Sequence, residues 1–129
     1  MKRFLLLITI ALATSSLIIS CVGTVKTYDD SGQPIDIGLN REFVIALGSN
    51  PTTGYGWQVT LDESMLEMVE QTYKPGAEVK DSVVGAGGVE YFRFKTLKKG
   101  ETEITLVYKR PWEELNPGDE TKVFTIRIK

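Results

Sequence analysis

Asn50-Pro51-Thr52-Thr53-Gly54-Tyr55-Gly56-Trp57 separates two apolar runs, Phe-Val-Ile-Ala-Leu at 43–47 and Trp-Gln-Val-Thr-Leu at 57–61. The second run alternates apolar and polar residues, the period of a strand with one buried face. The stretch between them can continue neither strand. Pro51 has no N–H for a ladder and pushes Asn50 toward extended backbone, while Gly54 and Gly56 admit positive φ. Two readings fit these residues. One is an ordinary connector built of common turn residues. The other is an exposed loop of few conformations with Tyr55 and Trp57 at its rim, which loses little entropy when it docks.

Working outward, the chain reads as strand after strand. Residues 66–73 (Leu-Glu-Met-Val-Glu-Gln-Thr-Tyr) read as a strand, with helix left open by Leu, Glu and Met. Pro75-Gly76 begins a long connection that ends in Gly85-Ala86-Gly87-Gly88. Residues 89–96 then place Phe92 and Phe94 on one face and Tyr91 and Arg93 on the other. Lys98-Lys99-Gly100 turns the chain into 102–109, with Ile104, Leu106 and Tyr108 inward. Arg110-Pro111-Trp112 opens another loop, through Glu113, Glu114 and Asn116-Pro117-Gly118-Asp119, before a last strand at 122–129 that buries Phe124, Ile126 and Ile128. Short, evenly spaced strands punctuated by Gly/Pro turns, with no sustained helical period, predict an all-β, immunoglobulin-like β-sandwich. Trp57 opens its strand as a core tryptophan of such a sandwich.

The N-terminus carries an address. Lys2 and Arg3 precede an apolar run at 4–13, a polar dip at 14–16, and Leu17-Ile18-Ile19-Ser20-Cys21. A basic start, an apolar core and a small residue before the cut describe a secretory signal peptide. Ile18-Ile19-Ser20-Cys21 resembles a bacterial lipobox, in which the cysteine is lipidated and becomes the mature N-terminus. The run is short and interrupted for a spanning helix, and a solitary free thiol is uncommon in an exported protein. The expected organisation is a signal peptide at 1–20, a lipidated tether with a possible first strand at 21–40, and one domain at 41–129. The expected location is the cell envelope, with Cys21 holding the chain to a membrane.

Composition excludes much chemistry. With no histidine and one cysteine, triads built on imidazole, His/Cys zinc sites and a disulfide framework are ruled out. No cofactor or metal is expected. Asp29 and Asp30 lack the spaced acids of a calcium loop and read as a solvated turn. Loss of Lys2 and Arg3 with the signal leaves 13 cations against 17 acids, a formal −4, and no basic patch interleaved with aromatics points to nucleic acid. Glu113, Glu114, Asp119 and Glu120 imitate a glycosidase carboxylate pair, but acids on a polar loop are ordinarily solvated and no apolar pocket raises a pKa there. The chain reads as no enzyme.

Strand counting ties the unusual loops together. Antiparallel strands reverse at each connection, and two strands separate the Asn50 loop from the Gly85 loop, as two separate the Gly85 loop from the Arg110 loop. All three then share one end of the sandwich, while the connections opposite (62–64 and 98–100) are short, charged and plain. In order and spacing, Asn50-Pro51-Thr52-Thr53-Gly54-Tyr55, Gly85-Ala86-Gly87-Gly88 and Arg110-Pro111-Trp112 resemble the three loop motifs of chagasin-like inhibitors of papain-type cysteine proteases. The resemblance spans essentially the whole mature chain. It implies an immunoglobulin-like fold whose three loops enter a protease cleft as a wedge and inhibit reversibly and competitively. Pro51 to Gly54 would pass over the catalytic cysteine, with Thr52 and Thr53 nearest. Gly85 to Gly88 would lie on the non-primed side, and Arg110 to Trp112 on the primed side.

The physical chemistry is compatible with that role. A wedge needs no reactive group, glycines let backbone approach a groove without Cβ clashes, and Trp112 is an amphipathic anchor restricted by Pro111. Resistance to cleavage requires that the backbone of Thr52 and Thr53 present no carbonyl in attack geometry. Plainer readings stand beside this one. The Gly85 loop reads equally as a flexible hairpin tip, and Arg110 has structural partners available in Trp112, Glu113 and Glu114. The alternative function is a surface or periplasmic adhesion lipoprotein that uses the same loop end; a monomer is expected in either case.

Overall fold

The computed structural model describes residues 24–76 and 87–129, so Cys21, Gly85 and Ala86 lie outside the described residues. The chain folds as an all-β, immunoglobulin-like sandwich. Eight strands follow in order: β1 Lys26–Tyr28, β2 Ile35–Ile37, β3 Glu42–Ser49, β4 Gly56–Thr60, β5 Leu66–Pro75, β6 Gly88–Thr96, β7 Gly100–Lys109 and β8 Glu120–Ile128. One sheet runs β1-β3-β6-β5 and the other β2-β8-β7-β4.

Period-two alternation builds the core. Phe43, Ile45 and Leu47 on β3 face Phe92 and Phe94 on β6, and the second sheet answers with Trp57, Ile104, Leu106, Phe124, Ile126 and Ile128. None of these is more than 4% exposed. Each contributes about 1.5–3 kcal/mol by leaving water, which allows a sandwich of this size to stand without cross-links.

The stretch at 24–40 enters the sheets rather than hanging from them. β1 pairs in parallel with β3, and β2 pairs in parallel with β8, so the chain changes sheets between them. The crossing is a turn in which the Asp30 carboxylate accepts the Gly32 N–H at 2.8 Å. Beyond it Ile35 is buried in the common core. Residues 66–75 form a strand, not a helix. Antiparallel pairing with β6 along its length overrides the helix propensity of Leu, Glu and Met, with a bulge between Met68 and Glu70.

The two ends of the sandwich differ. At one, Met65 N–H and Leu66 N–H both donate to the Asp62 carbonyl at 3.0 Å in a tight turn. At the other, Ser49 pairs with Gly88, Gly88 with Pro75, and Gly56 with Lys109. These pairings draw the stems of all three unusual loops together.

Candidate functional site

The first loop is a single 3-10 turn, Pro51–Thr53. Pro51 suits its first position because its fixed φ matches and its missing N–H has no ladder to join. Asn50 leads in with φ −129° and ψ 86°. Its carbonyl accepts the Thr53 N–H at 3.3 Å and the Thr53 hydroxyl at 2.7 Å. Its side-chain oxygen accepts the Thr52 hydroxyl. Gly54 ends the turn in the left-handed region at φ +81°, donating its N–H to the Pro51 carbonyl at 3.0 Å. A Cβ at Gly54 would also come within 2.6 Å of the Trp112 ring. Only glycine satisfies both conditions.

The third loop fastens the first. Arg110 Nε donates to the Thr53 carbonyl at 3.0 Å, and its Nη1 pairs with Glu113 Oε1 at 3.3 Å. The guanidinium lies 4.7 Å over the Tyr55 ring. Of the partners open to Arg110 in sequence, Glu113 is the one it takes; it stacks on Tyr55 rather than Trp112. Tyr55 in turn stacks on Tyr108 at 5.4 Å, and Tyr108 on Trp57 at 5.0 Å. An unbroken stack thus runs from the exposed loops to the buried core. The Tyr108 hydroxyl accepts the Asn50 N–H at 2.9 Å. Lys109 Nζ donates to the carbonyls of Arg110 and Glu113, closing the third loop at its base. Trp112 is left 72% exposed, with Leu115 at 66% beside it in sequence. Pro111, Thr52 and Thr53 are exposed as well.

The described part of the second loop behaves differently. Gly87 and Gly88 are buried, and the Gly87 carbonyl accepts the Gly76 N–H at 3.0 Å. A side chain at Gly88 would run into the backbone of Lys74 and Pro75. At Gly88, then, the close backbone approach that calls for glycine is made within the fold.

Beneath the loops, Trp57 joins the two sheets. Its indole N–H donates to the Gly48 carbonyl at 2.9 Å, and its backbone N–H points to Glu90 Oε2 at 3.3 Å. Glu90 is 8% exposed. Burial pushes its carboxyl above the ordinary glutamate range, opposed by the Trp57 N–H and the nearby Ser49 hydroxyl. Ser49 is 1% exposed; its hydroxyl acts on the same carboxyl, and its Oγ meets no partner in hydrogen-bond geometry. Sequence reading missed Glu90, although counting back from Phe94 and Phe92 by twos places it on the inner face. It also missed the Tyr108 hydroxyl bond, which no local pattern signals across 58 residues.

Comparison with known proteins agrees with this arrangement. The family model described as chagasin family peptidase inhibitor I42 matches residues 36–128. The chain belongs to the chagasin family of peptidase inhibitors. Amoebiasin-1 of Entamoeba histolytica is 32% identical over 105 residues, covering 79% of this chain and 94% of the relative. Chagasin of Trypanosoma cruzi is 29% identical over 109 residues, covering 80% and 94% respectively. Among solved structures, a cysteine protease inhibitor of Entamoeba histolytica superimposes with a TM-score of 0.65 at 25% identity, covering 83% of this chain and all of that one. A chagasin-family chain is an inhibitor and not an enzyme, and the adhesion reading is not favoured. In this chagasin-family member the structure brings Asn50, Pro51, Thr52, Thr53, Gly54, Tyr55, Arg110, Pro111 and Trp112 into one contiguous edge, with Gly87 and Gly88 at its base.

Proposed function

We propose that this chain inhibits papain-like cysteine proteases reversibly and competitively, inserting the edge formed by residues 50–55, 85–88 and 110–112 into the active-site cleft. The observation that carries this reading is the bracing of the exposed 3-10 turn by Arg110. A protease cleaves extended backbone, whereas Pro51–Thr53 is curled into a 3-10 turn and the carbonyls of Asn50, Pro51 and Thr53 accept hydrogen bonds within the protein. The turn therefore offers a poor scissile bond while projecting polar backbone and small side chains. Because the stack from Arg110 to Trp57 already holds the first and third loops, their docking orders little that was free. Trp112, exposed beside this turn, provides the apolar anchor.

The test is titration of the full-length chain, kept in a non-ionic detergent, into papain with a fluorogenic peptide substrate. Competitive loss of activity, with the inhibitor recovered uncut after long incubation, is the expected result. Progressive cleavage within residues 50–55 would contradict it.

We also propose that residues 1–20 are a lipoprotein signal, that Cys21 is lipidated, and that the monomeric protein is anchored in the cell envelope by that lipid. The support is the basic, apolar and small-residue order ending in Ser20-Cys21. Mass spectrometry of the mature N-terminus in a bacterial host tests it: a diacylated Cys21 is expected, and an unmodified thiol or a retained Met1 would refute it.

A further inference from the structure

We propose that Glu90 is a positioning residue for the inhibitory edge, its carboxyl holding the stems of the first and second loops together across the two sheets. This inference rests on the inhibitor reading and adds a residue that touches no protease. Glu90 follows Gly87 and Gly88 on β6 and meets the Trp57 N–H on β4, in the opposite sheet, at 3.3 Å. Trp57 lies on an edge strand, and this carboxyl provides its N–H with an acceptor. Ser49, the last residue of β3 before Asn50, brings its buried hydroxyl to the same place. One carboxyl thus touches or adjoins the stems on β3, β4 and β6.

The charge state of that carboxyl matters. No cation lies within ion-pair distance of Glu90 among the described residues. The titratable residues nearest it in register are Tyr73, its partner on β5, and Tyr108 and Lys109 on β7, which pair with Trp57 and Gly56; the remaining acids and bases of β3, β5 and β7 lie further along those strands or on their outer faces. The Lys109 ammonium is committed to the carbonyls of Arg110 and Glu113. An ionised Glu90 thus has no cation to pair with and only the Trp57 N–H and the Ser49 hydroxyl to offset its burial, whereas the neutral acid can accept from Trp57 N–H and donate to Ser49 Oγ at a smaller desolvation cost. Burial already favours the neutral form. A protease seated on the loops excludes the remaining water and favours it further, so docking is accompanied by proton uptake. By linkage, inhibition is strongest below the Glu90 transition and weakens as pH rises through it.

The experiment measures inhibition of papain by the full-length chain, by Glu90→Gln and by Glu90→Leu across about pH 4 to 8, the span in which a raised glutamate titrates. The ratio of wild-type to Glu90→Gln inhibition constants cancels the enzyme's own pH dependence. Gln keeps a neutral acceptor, so the ratio should be near unity in acid and rise with pH, about tenfold for each pKa unit that docking adds. Leu removes the acceptor, so Glu90→Leu should be weaker than Glu90→Gln at every pH. A flat ratio, or Leu matching Gln, overturns the proposal. Carbon-13 titration of the Glu90 carboxyl in the wild-type chain, free and papain-bound, tests the same point without a variant: a higher midpoint in the complex supports it, and an equal or lower one refutes it. A wild-type chain that fails to inhibit would refute the inhibitor reading, and this inference with it.

Discussion

Gly54→Ala separates what the backbone demands from what the site demands. At φ +81° a residue with a Cβ costs about 1–2 kcal/mol relative to glycine. The new methyl would also lie 2.6 Å from Trp112 Cη2, too close to be tolerated. Trp112 is 72% exposed, so the ring swings away into solvent at little cost to folding. The stability loss is accordingly the φ contribution, a fall in melting temperature of about 5–10 °C for a domain of this size. The affinity loss is larger in kind, because the displaced Trp112 is the anchor. Loss of a buried interface tryptophan costs about 2 kcal/mol or more, and Gly54→Ala forfeits part of that. A double-mutant cycle with Trp112→Ala, read by thermal unfolding and by papain inhibition, resolves the two. The stability losses should add to within about 0.5 kcal/mol, while the affinity losses should fall short of additivity by more than that. Unchanged stability in Gly54→Ala, or strictly additive affinity losses, would refute this division of roles.

Trp57→Ala removes the tryptophan that packs in the core and bonds Gly48; a loss of about 3–5 kcal/mol is expected by chemical denaturation. Arg110→Lys keeps the charge but cannot both bond the Thr53 carbonyl and stack on Tyr55, so inhibition should weaken while the melting temperature moves little. Gly88→Ala collides with immovable backbone at Lys74 and Pro75 and should cost about 1–3 kcal/mol of stability, visible as lost amide protection along β5 and β6. For Glu90, raised in the folded state, the stabilising contribution is fully present below the unfolded value of 4.5 and is lost as pH rises through the folded value. Glu90→Gln should abolish that part of the melting-temperature profile.

Much of this was legible because β-sandwich physics is written at period two. Phe92 with Phe94, Ile104 with Leu106, and Phe124 with Ile126 and Ile128 alternate with polar neighbours, and each set is buried together. The common end of the loops followed from counting reversals. Less legible were features set by tertiary pairing. A short first strand before residue 40 was open in the sequence, but the parallel ladders of residues 26–28 and 35–37 to β3 and β8, in different sheets, are set by pairing that no local pattern carries. The partner of Arg110 was open in sequence because Tyr55 approaches it only once the two loops meet. Gly88 read as a glycine for a partner's backbone, yet its own β5 occupies that space. Glu90 was overlooked because an acid on an inward position contradicts the binary pattern, and such contradictions are where functional residues concentrate.

A braced, uncleavable edge that blocks a papain-like cleft should compete with substrate and survive the encounter. The decisive quantity is the inhibition constant of the full-length chain against papain over a range of substrate concentrations. Competitive inhibition that is relieved on dilution, with the chain intact afterwards, is the expected result. No inhibition at micromolar concentration, or inhibition that fades as the chain is cut, would contradict it.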